Sequence, residues 1–149
     1  MGRQTLRAIA IASVASGTPS TLTTFVRTRS LPATARGIRD ATESIGELVP
    51  PGRPGLIRGA FAHLAISAAL GELLARTLPA RHRVAAGAAA GAVIGVVNLR
   101  IIGRRYPSIQ ALPFGPQLGD NIAFGVLMAA LTRRPASVSD GSRSRRQSP

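Results

Sequence analysis

Apolar residues are gathered into four blocks along this chain, and the segments between the blocks are rich in arginine, proline and glycine. Each block is about as long as the roughly 20 apolar residues that a helix needs to cross the hydrocarbon core of a bilayer. Helices of soluble domains instead alternate apolar and polar positions along their length. The pattern predicts an all-α integral membrane bundle of four transmembrane helices, at residues 6–26, 56–78, 84–102 and 114–131.

The first block begins with apolar side chains and continues into a stretch rich in Ser and Thr. Gly17 and Pro19 predict a bend, because proline removes one intrahelical hydrogen bond and nearby hydroxyls can cover the freed carbonyl. A basic start and small residues around Ser13 and Ala15 are also typical of a cleaved signal peptide. We expect an uncleaved span, with the signal peptide as the alternative.

A short amphipathic helix is predicted over residues 31–49, between the first and second blocks. Ser30 is a suitable N-cap, since its hydroxyl can accept a hydrogen bond from the first turn. The apolar residues of the segment recur at spacings that place them on one helical face: Ile38, Ala41, Ile45, Leu48 and Val49. Such a face fits a helix that lies along lipid headgroups, and it fits equally a helix packed on the outside of the bundle.

In the third block Gly87, Gly91 and Gly95 follow one another at intervals of four residues, which puts them on one side of a helix. Asn98 lies nearly two full turns after Gly91 and faces the same way. Helices in lipid associate where small residues let their backbones approach. The glycines therefore predict a packed helix interface, and the short connection from the second block predicts a tight antiparallel hairpin of the second and third blocks.

If successive blocks cross a bilayer in opposite directions, four polar residues lie at a similar depth: His63, Asn98, Asp120 and Asn121. Polar groups at membrane depth are costly and need a partner or water. One hypothesis is a proton or small-cation relay in which Asp120 accepts, His63 titrates and the asparagines orient them. The alternative is structural: Asp120 caps its own helix and pairs with Arg100 or Arg104.

Glu72 does not belong to this predicted cluster. It follows His63 by nine residues, or two and a half helical turns, and so points to the opposite face, near the other surface. Arg76 stands four residues further on, at the spacing of an ion pair on one helix face. We expect Glu72 to pair with Arg76, or else with Arg81 or Arg83 in the following turn.

All 19 basic residues are Arg, and the net charge is +13. Abundant Arg, Ala, Gly and Pro indicate a GC-rich coding sequence and hence a bacterial source. Arg gathers beside membrane spans, so the charge does not require a nucleic-acid partner, and we expect none. The segment 135–149 is poor in apolar residues and is predicted to be a disordered Arg-rich tail.

Several classes of chemistry are excluded or disfavoured by the residues present. The chain has no Cys, which excludes disulfides, thiolate catalysis and Cys-ligated metals. It also lacks the HExxH, GxSxG and phosphate-loop motifs, and two His without Cys make a structural zinc site implausible. We expect a protein that is not an enzyme and uses neither metal nor cofactor.

Three stretches carry a resemblance to a known group: ASGTPSTL, RPGLIRGAFAHLAISAALGELLARTLP and IIGRRYPSIQALPFGPQLGDNIAFG. The chain resembles uncharacterised small multi-pass membrane proteins of actinobacteria, which have no assigned activity. The resemblance implies location in the cell membrane and contributes no catalytic residue.

The sequence leaves three hypotheses on function. The first is a non-enzymatic membrane protein that packs with itself or a membrane partner through its Gly- and Ala-rich helix faces. The second is a carrier or channel component that moves protons or small cations past His63 and Asp120. The third is a tether that holds anionic lipid or nucleic acid through the Arg-rich ends of the chain.

Overall fold

The computed structural model describes residues 2–50 and 52–132, and over these ranges the chain is helical with no strand. The all-α prediction is therefore confirmed for this part of the chain, and the predicted tail at 135–149 lies outside it. The α-helices are α1 (Arg3–Ala15), α2 (Thr18–Thr28), α3 (Leu31–Ile45), α4 (Leu56–Thr77), α5 (Arg83–Val96), α6 (Pro107–Gln110) and α7 (Phe114–Leu131). Irregular helical turns extend two of them: a 3-10 turn at Gly46–Leu48 after α3, and after α5 a π-helical segment at Val97–Ile102 with a 3-10 turn at Gly103–Arg105.

Three helical stretches of the described residues are long and apolar enough to cross a membrane, judged by length and composition: Arg3–Thr28, Leu56–Thr77 and Arg83–Arg105. The fourth predicted span corresponds to α7, whose bounds are those of the predicted block. Its first half carries Gln117, Asp120 and Asn121, and these polar residues lower its mean hydropathy. Three of the four predicted spans are therefore long and apolar enough to cross a membrane, and the fourth is not confirmed.

The buried face of α3 differs from the apolar face that its sequence suggests. Thr34 and Ser44 are buried, whereas Ile38 is 49% exposed. A Cβ placed on Gly37 would lie 3.5 Å from Thr24 Cγ2, so the small side of α3 packs against α2. The helix also contacts α4 and α6. The helix thus packs on the bundle through its small residues, and its alternative position along lipid headgroups stays a prediction.

The predicted hairpin of the second and third blocks is wrong in its packing. The turn between Thr77 and Arg83 is short, but α4 and α5 make little contact with each other. Instead α5 packs along α7, which also contacts α1, α2 and α4. The glycine side of α5 decides this arrangement, since it turns towards α7 and away from α4.

The distribution of side-chain sizes is the reverse of that in a soluble domain. Large apolar side chains point outwards, including Ile57 (86% exposed), Val14 (82%) and Phe61 (69%). The buried positions hold mostly Ala, Gly and Ser, and Met128 is the largest side chain that is fully buried. Soluble proteins place Ile, Val and Phe in their cores. The helices of this chain are therefore held together mainly by small residues.

Candidate functional site

A break in the first apolar helix is the centre of the candidate site. Here α1 ends at Ala15 and α2 begins at Thr18. Pro19 has no N–H, so the carbonyl of Ala15 loses the donor that a continuous helix would supply. The hydroxyl of Thr18 donates to that carbonyl at 2.7 Å. The predicted bend is present as a two-residue turn at Ser16 and Gly17, and the first acceptor that it frees is covered locally.

His63 reaches the break from α4. Its Nε2 lies 3.1 Å from the carbonyl oxygen of Ser13, which precedes the break by one turn. Since a carbonyl only accepts, the ring nitrogen is the donor, and this contact requires the proton on Nε2. In an unbroken helix the N–H of Gly17 would donate to the Ser13 carbonyl. His63 therefore replaces a backbone donor at the end of α1.

Asp120 reaches the same break from α7. Its Oδ1 accepts a hydrogen bond of 2.8 Å from the N–H of Ser20, which lies in the first turn of α2. The carboxylate thus caps the N-terminus of α2, where free N–H groups and the helix dipole favour an anion. The structural alternative placed this residue at the start of its own helix, and it is corrected: Asp120 caps a different helix, 100 residues away in the chain.

The predicted partners of Asp120 lie elsewhere. The guanidinium of Arg100 stands 4.3 Å from the centroid of the Phe114 ring. Within residues 2–50 and 52–132 the ion pairs are Arg39–Glu43 and Arg76–Glu72, so neither Arg100 nor Arg104 pairs with Asp120. The π-helical turn that carries Arg100 presents it to an aromatic face, a favourable position for a guanidinium.

Asn98 and Asn121 meet each other, and they form a contact separate from the break. Asn98 Nδ2 lies 3.5 Å from Asn121 Oδ1, and Asn121 Nδ2 donates to the carbonyl of Gln117 at 2.9 Å. No hydrogen bond in the described part of the chain joins either asparagine to His63 or Asp120. The four predicted residues therefore divide into two pairs, one at the break and one between α5 and α7.

A crevice of about 490 Å³ opens beside the break, between α2, α3, α6 and the start of α7. Its walls combine apolar side chains such as Ile38 and Leu112 with hydroxyl groups, the amide of Gln117 and the carboxylates of Asp40 and Glu43, and among the described residues neither Arg nor His lines it. Ser20 is one of the lining residues, and it is the partner of Asp120. Glu43 is paired with Arg39, so Asp40 is the carboxylate of the crevice that no ion pair of the described residues neutralises.

Glu47 adds a further carboxylate near this crevice. It is 8% exposed, and its two oxygens accept from Ser108, at 2.7 Å from the hydroxyl and 3.3 Å from the N–H. Ser108 lies in the first turn of α6 and lines the crevice. Glu47 thereby anchors α6 to the end of α3. Sequence reasoning missed this contact, because no local spacing relates residues 61 apart.

The glycine side of α5 faces α7 of the same chain. A Cβ on Gly87 would meet the backbone of Gly125, and one on Gly91 would meet the backbone of Asn121. A Cβ on Gly95 would stand 2.8 Å from Leu118 Cδ1. The positions of α7 that face these glycines are Asn121, Gly125 and Ala129, which are again four residues apart. This spacing is the sequence signal that could have identified α7 as the partner of α5. These glycines are therefore engaged within one chain.

At the opposite end of the bundle Glu72 Oε1 lies 2.7 Å from Arg76 Nη2. The predicted pair is present. Arg83, the alternative partner, donates instead to the carbonyl of Leu78 at 2.9 Å and to the hydroxyl of Thr132 at 2.8 Å. These bonds join the turn after α4 to the end of α7.

No group of three or more His, Asp or Glu residues that could hold a metal ion occurs in the described part of the chain. The chain matches no family model, and comparisons with curated proteins and with solved structures give no match. The resemblance to actinobacterial membrane proteins therefore stays a prediction, and function has to be argued from the geometry.

Proposed function

We propose that the protein is a multi-pass protein of the cell membrane with four spans, formed by α1 with α2, α4, α5 and α7. The observation that carries this proposal is the reversed distribution of side chains, with Ile57, Val14 and Phe61 exposed and small residues inside. In water these exposed side chains would form apolar patches too large for a soluble monomer. In a bilayer they would face lipid, and the small-residue core would be the usual way to pack helices.

The contacts of α7 support its role as a fourth span despite its polar first half. Its 18 residues give a length of about 27 Å, close to the thickness of a bilayer core. Asp120 is bonded to Ser20, and Asn121 is bonded to its own helix and contacts Asn98. Partners of this kind reduce the cost of placing polar groups at membrane depth.

The topology is tested with reporter fusions after Arg29, Arg83, Arg105 and Arg134. Four spans predict signals that alternate between the two sides of the membrane. Signals from Arg105 and Arg134 on the same side would show that α7 does not cross and would overturn the four-span proposal. Alkaline carbonate extraction of the tagged chain is the independent measurement, and release into the soluble fraction would contradict membrane insertion itself.

We further propose a non-enzymatic role in which the protein associates with a second copy or another membrane protein. Because Gly87, Gly91 and Gly95 are engaged with α7, the surface available for association is the outward small-residue side of the bundle. Three exposed alanines of α4 and α5 outside any cavity are the positions we assign to this surface: Ala65, Ala69 and Ala89.

Single-cysteine cross-linking tests self-association on a clean background, since the chain has no Cys. Ala69→Cys and Ala89→Cys should give disulfide-linked dimers in native membranes. Val14→Cys, at an exposed position on α1, is the matched control and should remain monomeric. Equal cross-linking at all three positions would indicate random collision, and absence of cross-linking at Ala69 and Ala89 would leave only a different protein as the partner.

A second candidate function is the passage of protons or small cations, and the crevice beside the break favours it. Its hydroxyl and carboxylate oxygens are ligands that hard cations prefer, and it ends at Ser20, next to Asp120. In proteoliposomes Asp120→Asn should abolish pH-driven or cation-driven flux. Glu72→Gln, at the opposite end of the bundle, is the control and should retain it. The absence of flux in the unmodified protein would rule this function out.

A further inference from the structure

A second cavity lies at the end of the bundle opposite the break, beside the turn between α4 and α5. Its volume is about 850 Å³, within the range of ligand sites, and it is open on one side. The residues that matter for its chemistry are the cationic Arg76 and Arg83, the imidazole of His82, and the small apolar Ala75, Ala85 and Ala88. We refer to it as the α4–α5 cavity.

The α4–α5 cavity exists because the two helices that flank it do not pack together. The glycine side of α5 turns towards α7, and α4 lies against α1 and α7, so a gap remains between α4 and α5. The end of α7 closes the inner side of this gap through Thr132. The walls that run from the turn along the helices are built from alanines, which leave room for a narrow apolar group.

Within the described residues no carboxylate pairs with the positive charge that Arg83 brings to the cavity. The two partners of this guanidinium, the carbonyl of Leu78 and the hydroxyl of Thr132, are both neutral. Its Nε is buried and has no hydrogen-bond partner. Arg76 is paired with Glu72, and the exposed Arg81, next to His82 in the chain, adds a further cation at the turn. An anion at this position would be held by Arg83 first.

We propose that the α4–α5 cavity binds an anionic phospholipid, with the phosphate at Arg83, Arg76 and His82 and an acyl chain along Ala75, Ala85 and Ala88. This proposal rests on the proposed membrane location, which puts the turn at the level of lipid headgroups. Cations at that level beside an apolar gap between spans match both parts of a phospholipid. Free phosphate carries the same charged group as the lipid headgroup, but it has no acyl chain to pack against the alanine walls.

Quenching by brominated lipids tests the site directly, since the chain has no Trp and a single introduced Trp reports its own surroundings. The reporters are Val84→Trp, at the rim of the cavity, and Val97→Trp, near the other end of the same helical stretch. The full chain is reconstituted in mixtures of phosphatidylcholine and phosphatidylglycerol, with one or the other brominated. We expect the Val84→Trp reporter to prefer phosphatidylglycerol by about fivefold, and the Val97→Trp reporter to show no such preference.

Three variants in the Val84→Trp background separate the contribution of the arginine charges from that of the space along the alanine walls. Arg83→Gln should remove most of the preference, and Arg76→Gln should reduce it. Ala88→Leu keeps every charge but fills the wall, and it should lower quenching by both lipids at this reporter. Arg105→Gln, an exposed arginine at the other end of the bundle, is the control and should leave the preference unchanged. If Arg83→Gln fails to fold, as judged by circular dichroism, Arg76→Gln and Ala88→Leu decide the question.

The outcomes distinguish the lipid site from its alternatives. Equal preference at the two reporters, or a preference unaffected by both Arg substitutions, would overturn the site. Loss of the preference on addition of inorganic phosphate, together with no effect of Ala88→Leu, would show a phosphate site and overturn the lipid proposal. Absence of quenching by either brominated lipid at both reporters would instead overturn the membrane location.

Discussion

The interface between α5 and α7 and the break between α1 and α2 hold the bundle together in different ways. Along α5 and α7 the contact is between backbones, at Gly87, Gly91 and Gly125, where even a Cβ would overlap. At the break the contact is polar, and His63 and Asp120 come from two other helices to satisfy backbone groups that the interruption leaves free. One region depends on the absence of side chains and the other on two particular side chains.

The difference shows which kind of change each region tolerates. Dispersion contacts at a glycine interface are lost when anything larger is inserted, so α5 and α7 are sensitive to volume. The break is sensitive to hydrogen-bonding capacity, because an unsatisfied buried backbone group costs free energy while a change of shape there can be absorbed. Substitutions that change volume and substitutions that remove a hydrogen-bonding group should therefore act differently in the two regions.

Gly91→Leu should be the most destabilising substitution. Its side chain would overlap the backbone of Asn121 and Ile122, which cannot move as a flexible side chain could. Overpacking of this kind costs about 3 kcal/mol. The free energy of unfolding is measured by circular dichroism in detergent micelles. Ala89→Leu, on the exposed side of the same helix, should change it by less than about 0.5 kcal/mol. Equal losses in the two variants would contradict the backbone contact.

Asp120→Ala should cost about 1 to 2 kcal/mol, because α2 loses its cap at Ser20. Asp120→Asn keeps an acceptor oxygen and loses only the interaction of the charge with the helix dipole, about 0.5 kcal/mol. Unfolding of both variants is compared under the same micelle conditions. Equal losses for Asn and Ala would show that the negative charge, and not the hydrogen bond, supports the break.

His63→Phe should cost about 1 kcal/mol, because it retains a ring of similar size but leaves the Ser13 carbonyl without a donor. His63→Gln can still donate a hydrogen bond and should recover part of that loss. Protease accessibility of residues 13–20 is the second measurement, and it should rise in the Phe variant. If Phe is as stable as His, the ring fills space at the break and does not cap it.

Thr18→Val should have the smallest effect, about 0.5 kcal/mol, since its bond to Ala15 is exposed. In a Pro19→Ala background the restored N–H can bond the Ala15 carbonyl, and the same Thr18→Val change should then cost nothing. A double-mutant cycle measures this coupling. Additive effects of the two substitutions would mean that Thr18 does not substitute for the N–H that Pro19 lacks.

Local features of the site were predictable because they depend on neighbours in the chain. Pro19 with Thr18 marks the break, and Glu72 with Arg76 stands at ion-pair spacing on α4. The regular spacing of Gly91 and its neighbours indicated a close interface. The partner of that interface was not predictable, since small faces on different helices carry no charge or shape that distinguishes one from another.

The long-range polar contacts depended on which carbonyls and N–H groups the break exposes and on which helices pass beside it. Asp120 was expected at its own helix or at Arg100, and it lies instead at Ser20 because α7 runs past the start of α2. Glu47 and Ser108 meet for a similar reason. A polar group in an apolar interior takes whatever unsatisfied partner the packing brings near.

The residue pattern predicted a helical chain, the positions of its apolar helices, the interruption in the first of them and the face of α5 that glycines line. These properties follow from spacing, proline chemistry and side-chain size within a few turns. Only the tertiary packing placed α5 on α7, left a gap beside α4, and brought His63 and Asp120 to the two sides of one break. Those outcomes depend on which of several equivalent small faces come together, and the geometry of the whole bundle selects among them.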